Sequence, residues 1–223
     1  MIASVLIDQT LPALKNSYQV AEVLEWMADN EISQLPVVED ERYLGLVSVG
    51  MMSDPAQSQL PISEIQYEHP QVFVFEDQHI LELVSVAIKH ELEILPVLNR
   101  SGVYSGVIVV NELLIKYAEF METGERGAII VLKIKPRDYS LSEISRIAES
   151  NGAKILVSHY TADYHYDDKG ENYLTLKFNQ VDVSHIVASF ERFGYIISEV
   201  HANEPIASVD QERLDMLMRY LAT

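Results

Sequence analysis

Apolar residues in the first 120 positions fall into two series set sixty residues apart. Val20, Val23, Leu24 and Met27 follow the i, i+3, i+4, i+7 spacing of an amphipathic helix, and Ile80, Leu83, Val84 and Ala87 repeat it. Leu35-Pro36-Val37-Val38 returns at the same offset as Leu95-Pro96-Val97-Leu98. Ser17 and Asp77 are the expected N-caps of the two helices. Each series then turns at a polar tip, Glu39–Arg42 or Asn99–Gly102, and enters a strand that contains Gly45 or Gly106, with one residue inserted in the second tip. The pattern predicts strand, helix, strand, turn, strand, helix in each unit, about 1–60 and 61–121. Neither unit can cover its own sheet, so the two should pack on a shared face.

A different periodicity starts after the polar, glycine-containing stretch 122–127, which reads as a linker. Ala128–Ile134 alternates as a strand does, and Ser140-x-x-Glu143 forms a capping box ahead of Leu141, Ile144, Ile147 and Ala148. Strands follow at Lys154–Ser158 and Tyr173–Phe178, joined by a tip at Asp167–Gly170. A helical stripe of Val183, Ile186, Val187 and Phe190 precedes a last strand, Ile196–Val200. Glycines 152 and 194 close the two helices. The order βαββαβ over 128–203 specifies a ferredoxin-like sandwich, so the whole chain is of mixed α/β (α+β) class. Residues 204–223 read as a helical tail capped by Ser208 and carrying Leu214, Leu217, Met218 and Leu221.

Charge narrows the partners. The net charge is −18, and Asp plus Glu outnumber Lys plus Arg by 18 to 5 over residues 1–120. A field of that sign repels phosphate backbones and anionic headgroups, so neither nucleic acid nor membrane is expected as a partner. The start of the chain lacks the basic, apolar build of a secretory signal, and no stretch is apolar enough to span a bilayer. The absence of cysteine removes disulfides and thiolate metal sites and agrees with a cytoplasmic protein.

The repeat resembles the CBS domain, a module found in pairs, over roughly residues 1–120. The resemblance is carried by the first helix with Ile32–Val38 and Gly45-Leu46-Val47-Ser48, and by their second copies. It implies a paired module, with backbone groups of Gln34, Leu35, Pro36, Ile94, Leu95 and Pro96 lining an adenosine cleft. Simple core packing explains the same side chains. Adenosine-binding repeats carry Gly-x-x-Thr/Ser-x-x-Asp at the last strand-to-helix turn, where a hydroxyl meets phosphate and a carboxylate grips the ribose. The first repeat keeps Ser48 but has Met51 at the carboxylate position, and the second has Val109 for the hydroxyl and Glu112 for the aspartate. Glu112 is equally an acidic residue favoured in the first turn of a helix. Basic residues near such a cleft are few (Arg42, Lys89 and Arg100), so a neutral or monophosphate adenosine compound fits better than a triphosphate. The ligands implied are AMP, ADP, ATP or S-adenosylmethionine.

Residues 128–203 resemble the ACT domain in pattern and topology, with Tyr139 where amino-acid-binding members have a glycine. Paired CBS repeats ahead of an ACT domain resemble the acetoin-utilisation B family. The combination implies a non-catalytic regulator, homodimeric and acting on a separate protein partner. A dimerisation scaffold without any small-molecule ligand is the alternative. His159, Asp163, His165 and Asp167 would share one face of a strand and suit a transition metal, or simply form the polar face of an exposed hairpin. No nucleophile elbow, phosphate loop or zinc-protease motif is present, so no catalytic residue is expected. Trp26 falls between core positions of the first helix and suggests partial burial or an interface.

Overall fold

A computed structural model describes residues 1–121, 124–162 and 172–202. The chain divides into two compact units, Met1–Phe120 and Met121–Thr223.

In the first unit, α1 (Val20–Asp29), β1 (Gln34–Glu39) and β2 (Arg42–Ser48) form one repeat. The second comprises β3 (Val74–Phe75), α2 (Ile80–Lys89), β4 (Ile94–Leu98), β5 (Tyr104–Val109) and α3 (Val110–Phe120). Both hairpins are antiparallel and both shift register at the same point, between Val37 and Val38 and between Val97 and Leu98. β3 lies parallel to β4, whereas the matching strand of the first repeat is reduced to a single bridge, Leu14 to Val37.

Two expectations need correction. No α-helix follows β2: the chain makes a turn and then short 3-10 segments at Pro55–Gln57 and Ile62–Glu64. Gly50 and the Asp54-Pro55 step interrupt that stretch, because proline disfavours helical backbone in the residue before it. Val110–Phe120 contains neither residue type and is a full helix. The N-caps also lie two residues later than Ser17 and Asp77. Gln19 and His79 hold the cap positions, with the His79 ring accepting from the Leu81 N–H and the Glu22 carboxylate accepting from the Gln19 N–H. Asp77 pairs instead with Arg100 at 2.9 Å.

The two repeats exchange their leading segments. Residues ahead of the first helix stitch onto the second repeat, with the Ala3 N–H donating to the Gln78 carbonyl and the Asp8 N–H to the Val107 carbonyl (2.9 and 2.8 Å). Residues ahead of the second helix stitch onto the first, where Leu46 and Glu68 exchange both backbone hydrogen bonds (2.7 and 2.8 Å). Each crossing passes over a glycine. A Cβ at Gly45 would lie 2.6 Å from the Tyr67 Cβ, and one at Gly106 would collide with the Ile7 side chain. Their φ angles, +151° and +142°, are ones that side chains rarely permit. Ala3, Leu6, Ile7 and Leu11 accordingly belong to the core of the second repeat, with Leu83, Leu95, Ile108 and Leu113.

The second unit runs β6 (Ile129–Ile134), α4 (Leu141–Ser150), β7 (Ile155–Ala162), β8 (Asn172–Phe178), α5 (Ser184–Arg192), β9 (Ile196–His201). Its strands order as β7-β8-β6-β9, all antiparallel, which is the ferredoxin-like sandwich. Ile130, Leu132, Leu174, Leu176 and Phe178 face Ile144 and Ile147 of α4 and Ile186 and Phe190 of α5. The Ser140 hydroxyl caps α4 by accepting from the Glu143 N–H. The hairpin tip, with Asp163, His165 and Asp167, the stretch 122–123 of the linker and the tail from residue 203 lie outside the described residues.

Tyr195 closes the helix side of this core and donates from its hydroxyl to the Glu143 carboxylate at 2.8 Å. Burial, then the neighbouring carboxylate, push its pKa up to about 12 from an ordinary value of 10.0. The unfolded phenol therefore ionises first, so stability is level below pH ~10 and falls as pH rises toward ~12. A Tyr195→Phe chain should lose part of that alkaline slope in denaturant titrations. An unchanged slope would assign it to other tyrosines, such as the half-buried Tyr43 and Tyr104, whose pKa values are also raised.

Candidate functional site

The exchange of leading segments brings four pieces of chain together around one cleft of roughly 420 Å³ in the first unit. Its walls are the loop before β1 (Glu31, Ile32), the loop into β4 (Leu92, Glu93, Ile94), the β5–α3 turn (Val109, Val110, Asn111) with Leu114, and the crossing segment (Asp8, Leu11). Volume and apolar lining are those of a small-molecule site.

Hydrogen bonds fix the two repeats on either side of it. The Ser33 hydroxyl donates to the Glu93 carboxylate, and these two residues occupy equivalent positions sixty apart. The buried Gln34 side chain accepts from the N–H groups of Glu93 and Ile94 at 3.2 and 3.4 Å. Gln34 is therefore a bracket between β1 and β4.

The cleft's electrostatics are one-sided. Asp8, Glu31 and Glu93 line it, and no lysine, arginine or histidine does among the described residues. The hydroxyl and the N–H of Thr10 both donate to the Asp8 carboxylate at 2.6 Å and hold it below the usual carboxylate range. Of the basic residues nearest in sequence, Arg100 is committed to Asp77 and to the Phe75 ring.

Residues 10–52 match the family model of the CBS domain. A CBS domain is present. Among solved structures, a CBS domain pair/ACT domain protein from Thermotoga maritima is 20% identical, with 53% of this chain and 98% of that one covered and a TM-score of 0.47. The CBS domains of a transcriptional regulator from Streptococcus pneumoniae are 18% identical, covering 52% and 98%, with a TM-score of 0.46. CBSX2 in complex with AMP is 16% identical, covering 53% and 96%, with a TM-score of 0.46. No curated protein sequence matches the chain.

The residues singled out from the CBS resemblance are dispersed. Ile94 lines the cleft, and Gln34 ties its two sides together. Leu35, Pro36, Leu95 and Pro96 are buried in strands paired with β2 and β5. Ser48 ends β2. Glu112 is exposed in the first turn of α3, and its neighbours Asn111 and Leu114 line the cleft in its place. Asp8, Leu11, Glu31 and Glu93 escaped the sequence reading, since the repeat alone does not show that the leading segments trade places. The signal was available: Asp8 and Glu68 occupy equivalent offsets, and each lies beside a strand glycine.

In the second unit, Tyr139, in the loop between β6 and α4, packs edge-on against Tyr160 with ring centroids 5.0 Å apart, and both rings are exposed. His159 lies on β7 opposite Thr175, and no group of three metal-ligating side chains occurs among the described residues. No helix among them is long and apolar enough to cross a membrane.

Proposed function

We propose that the first unit is a ligand-sensing regulatory module whose cleft takes an adenosine-type compound, and that the chain acts without catalysis on a separate protein partner. The observation that carries this reading is the apolar cleft held between two CBS-like repeats, with Asn111 and three carboxylates available to hydrogen-bond hydroxyl and amino groups. The charge of the lining refines the ligand class. Phosphate oxygens would face Asp8, Glu31 and Glu93 with no cation among the described lining residues, whereas neutral adenosine and cationic S-adenosylmethionine meet no such repulsion. Among adenosine compounds the order of affinity is therefore adenosine or S-adenosylmethionine first, AMP next, and ADP and ATP last.

A thermal-shift series at equal ligand concentration tests this. A compound present at about a hundred times its dissociation constant adds about 2.7 kcal/mol of stability, a readily measured rise in midpoint. No shift with any adenosine compound would remove the sensing role, and a larger shift with ATP than with adenosine would reverse the ligand class.

A dimerisation scaffold without a ligand is the second reading. It is favoured by the turn that replaces a helix after β2 and by the placement of Glu112 outside the cleft lining. Under either reading the chain works as a cytoplasmic homodimer. The ferredoxin-like unit serves as an ACT-like assembly domain, in the arrangement that resembles the acetoin-utilisation B family.

A further inference from the structure

We propose that a second groove, beside the start of α1, binds a small quaternary ammonium cation. The groove encloses roughly 300 Å³ and is lined by Pro12, Leu14, Tyr18, Glu22, Val23 and Trp26. It shares no lining residue with the cleft between the repeats and does not depend on the function assigned to that cleft. Leu14 and Val23 are 4% and 2% exposed, so the floor is an apolar surface continuous with the first-repeat core. Trp26 is half-buried against that core, while Tyr18 stands 40% exposed at the other side.

Glu22 and Trp26 lie four apart on α1 and share a face, and Tyr18, just ahead of the Gln19 cap, joins them in the groove lining. The faces of tryptophan and tyrosine carry negative potential and attract a cation placed over them. Glu22 adds a full charge to the same lining. Its contact with the Gln19 N–H, at 3.5 Å, occupies only part of the carboxylate's acceptor capacity. It also offsets the partial positive charge of the helix start, which would otherwise oppose a cation. Among the described residues no basic side chain lines the groove.

The rest of the lining selects among cations. Pro12, Leu14 and Val23 offer no side-chain acceptors, so an ammonium with three N–H donors finds only Glu22 and the Tyr18 hydroxyl in the lining to accept from it, whereas N-methyl groups need no acceptor and pack on the apolar floor. An anion is excluded by Glu22. A purely apolar occupant would bury that carboxylate without compensation. The excess of 18 acidic over 5 basic residues in positions 1–120 raises the local concentration of cations at this surface.

Trp26 is the chain's sole tryptophan, so its fluorescence reports on this groove alone. The full-length protein is titrated with choline and, in parallel, with dimethylbutanol, the neutral isostere in which carbon replaces the charged nitrogen. Choline should change the emission saturably and bind about tenfold more tightly than the isostere, as expected for cation–π attraction plus a carboxylate. Glu22→Gln, which retains the capping geometry, and Tyr18→Leu, at an exposed ring, should each weaken choline binding by about threefold or more with the melting midpoint held. Equal binding of choline and the isostere, no saturable response, or a response unaltered by both substitutions would each overturn the proposal.

Discussion

A Gly106→Ala chain unfolds with about 3–5 kcal/mol less stability than the parent in a denaturant titration, the sum of backbone strain and overpacking. The φ of +142° is nearly closed to alanine, and the new methyl would occupy the space of the Ile7 side chain where the crossing segment passes over β5. Relief would require that segment to lift, breaking the Asp8–Val107 hydrogen bond and exposing Ala3, Leu6 and Ile7. Gly102→Ala supplies the comparison. Its φ is also positive, at +82°, but nothing lies within 4 Å of the added methyl, so only the left-handed backbone cost of about 1–2 kcal/mol applies. Equal losses for the two variants would show that the close crossing over Gly106 contributes nothing. The same lifting should also weaken any ligand held by the cleft, because Asp8 and Leu11 form one of its walls.

The second large effect lies in the ferredoxin-like unit. Phe190→Ala should cost about 3–5 kcal/mol, the range for deleting a fully buried ring. Phe190 is 0% exposed, at ring-centroid distances of 6.4 Å from Phe178 and 5.6 Å from Tyr195, so its loss opens a cavity between helix and sheet that neither neighbour can fill without leaving its own contacts. Phe193, three residues on, is 43% exposed and has Arg146 and Arg192 over its ring. Its replacement by alanine should stay below about 1 kcal/mol. Comparable losses at 190 and 193 would mean that the core is not organised around α5 as described.

Periodic features of the chain were legible from residue order because local physics alone dictates them. The i, i+3, i+4, i+7 stripes of α1 and α2 become buried faces with Val20, Val23 and Met27, and with Ile80, Leu83 and Ala87, at equivalent places. Ser140 as the N-cap of α4 and the alternation of β8 carry over in the same way, whereas Glu143 turns to Tyr195 and Arg146 and β6 buries Val131 along with Ile130 and Leu132. Features that depend on distant chain were not legible. The turn after β2 follows from Gly50 and Pro55, which a sixty-residue repeat tempts one to overlook. Caps shifted from Ser17 and Asp77 because each helix start is also pinned by a bridge, Gln19 to Pro61 and Ile2 to His79, that residue preference cannot foresee. Most of all, a cleft is a property of which segments meet. Glu112 matched one position of an incomplete motif by spacing, while Asp8 and Glu31 reached the lining through an exchange invisible to any single repeat.

That exchange has an evident consequence for how the molecule is made. A ribosome delivers residues 1–8 about a hundred positions before Val107, the strand residue to which Asp8 hydrogen-bonds. Ala3 and Ser4 can pair as soon as Glu76–Gln78 have emerged, but Asp8 cannot make its bond until β5 has, so its docking comes late in assembly. Because Asp8 and Leu11 wall the cleft, the cleft is complete only after that late stitch. A compound that fits it would act as a clasp on the finished unit, resisting the reverse of that late step.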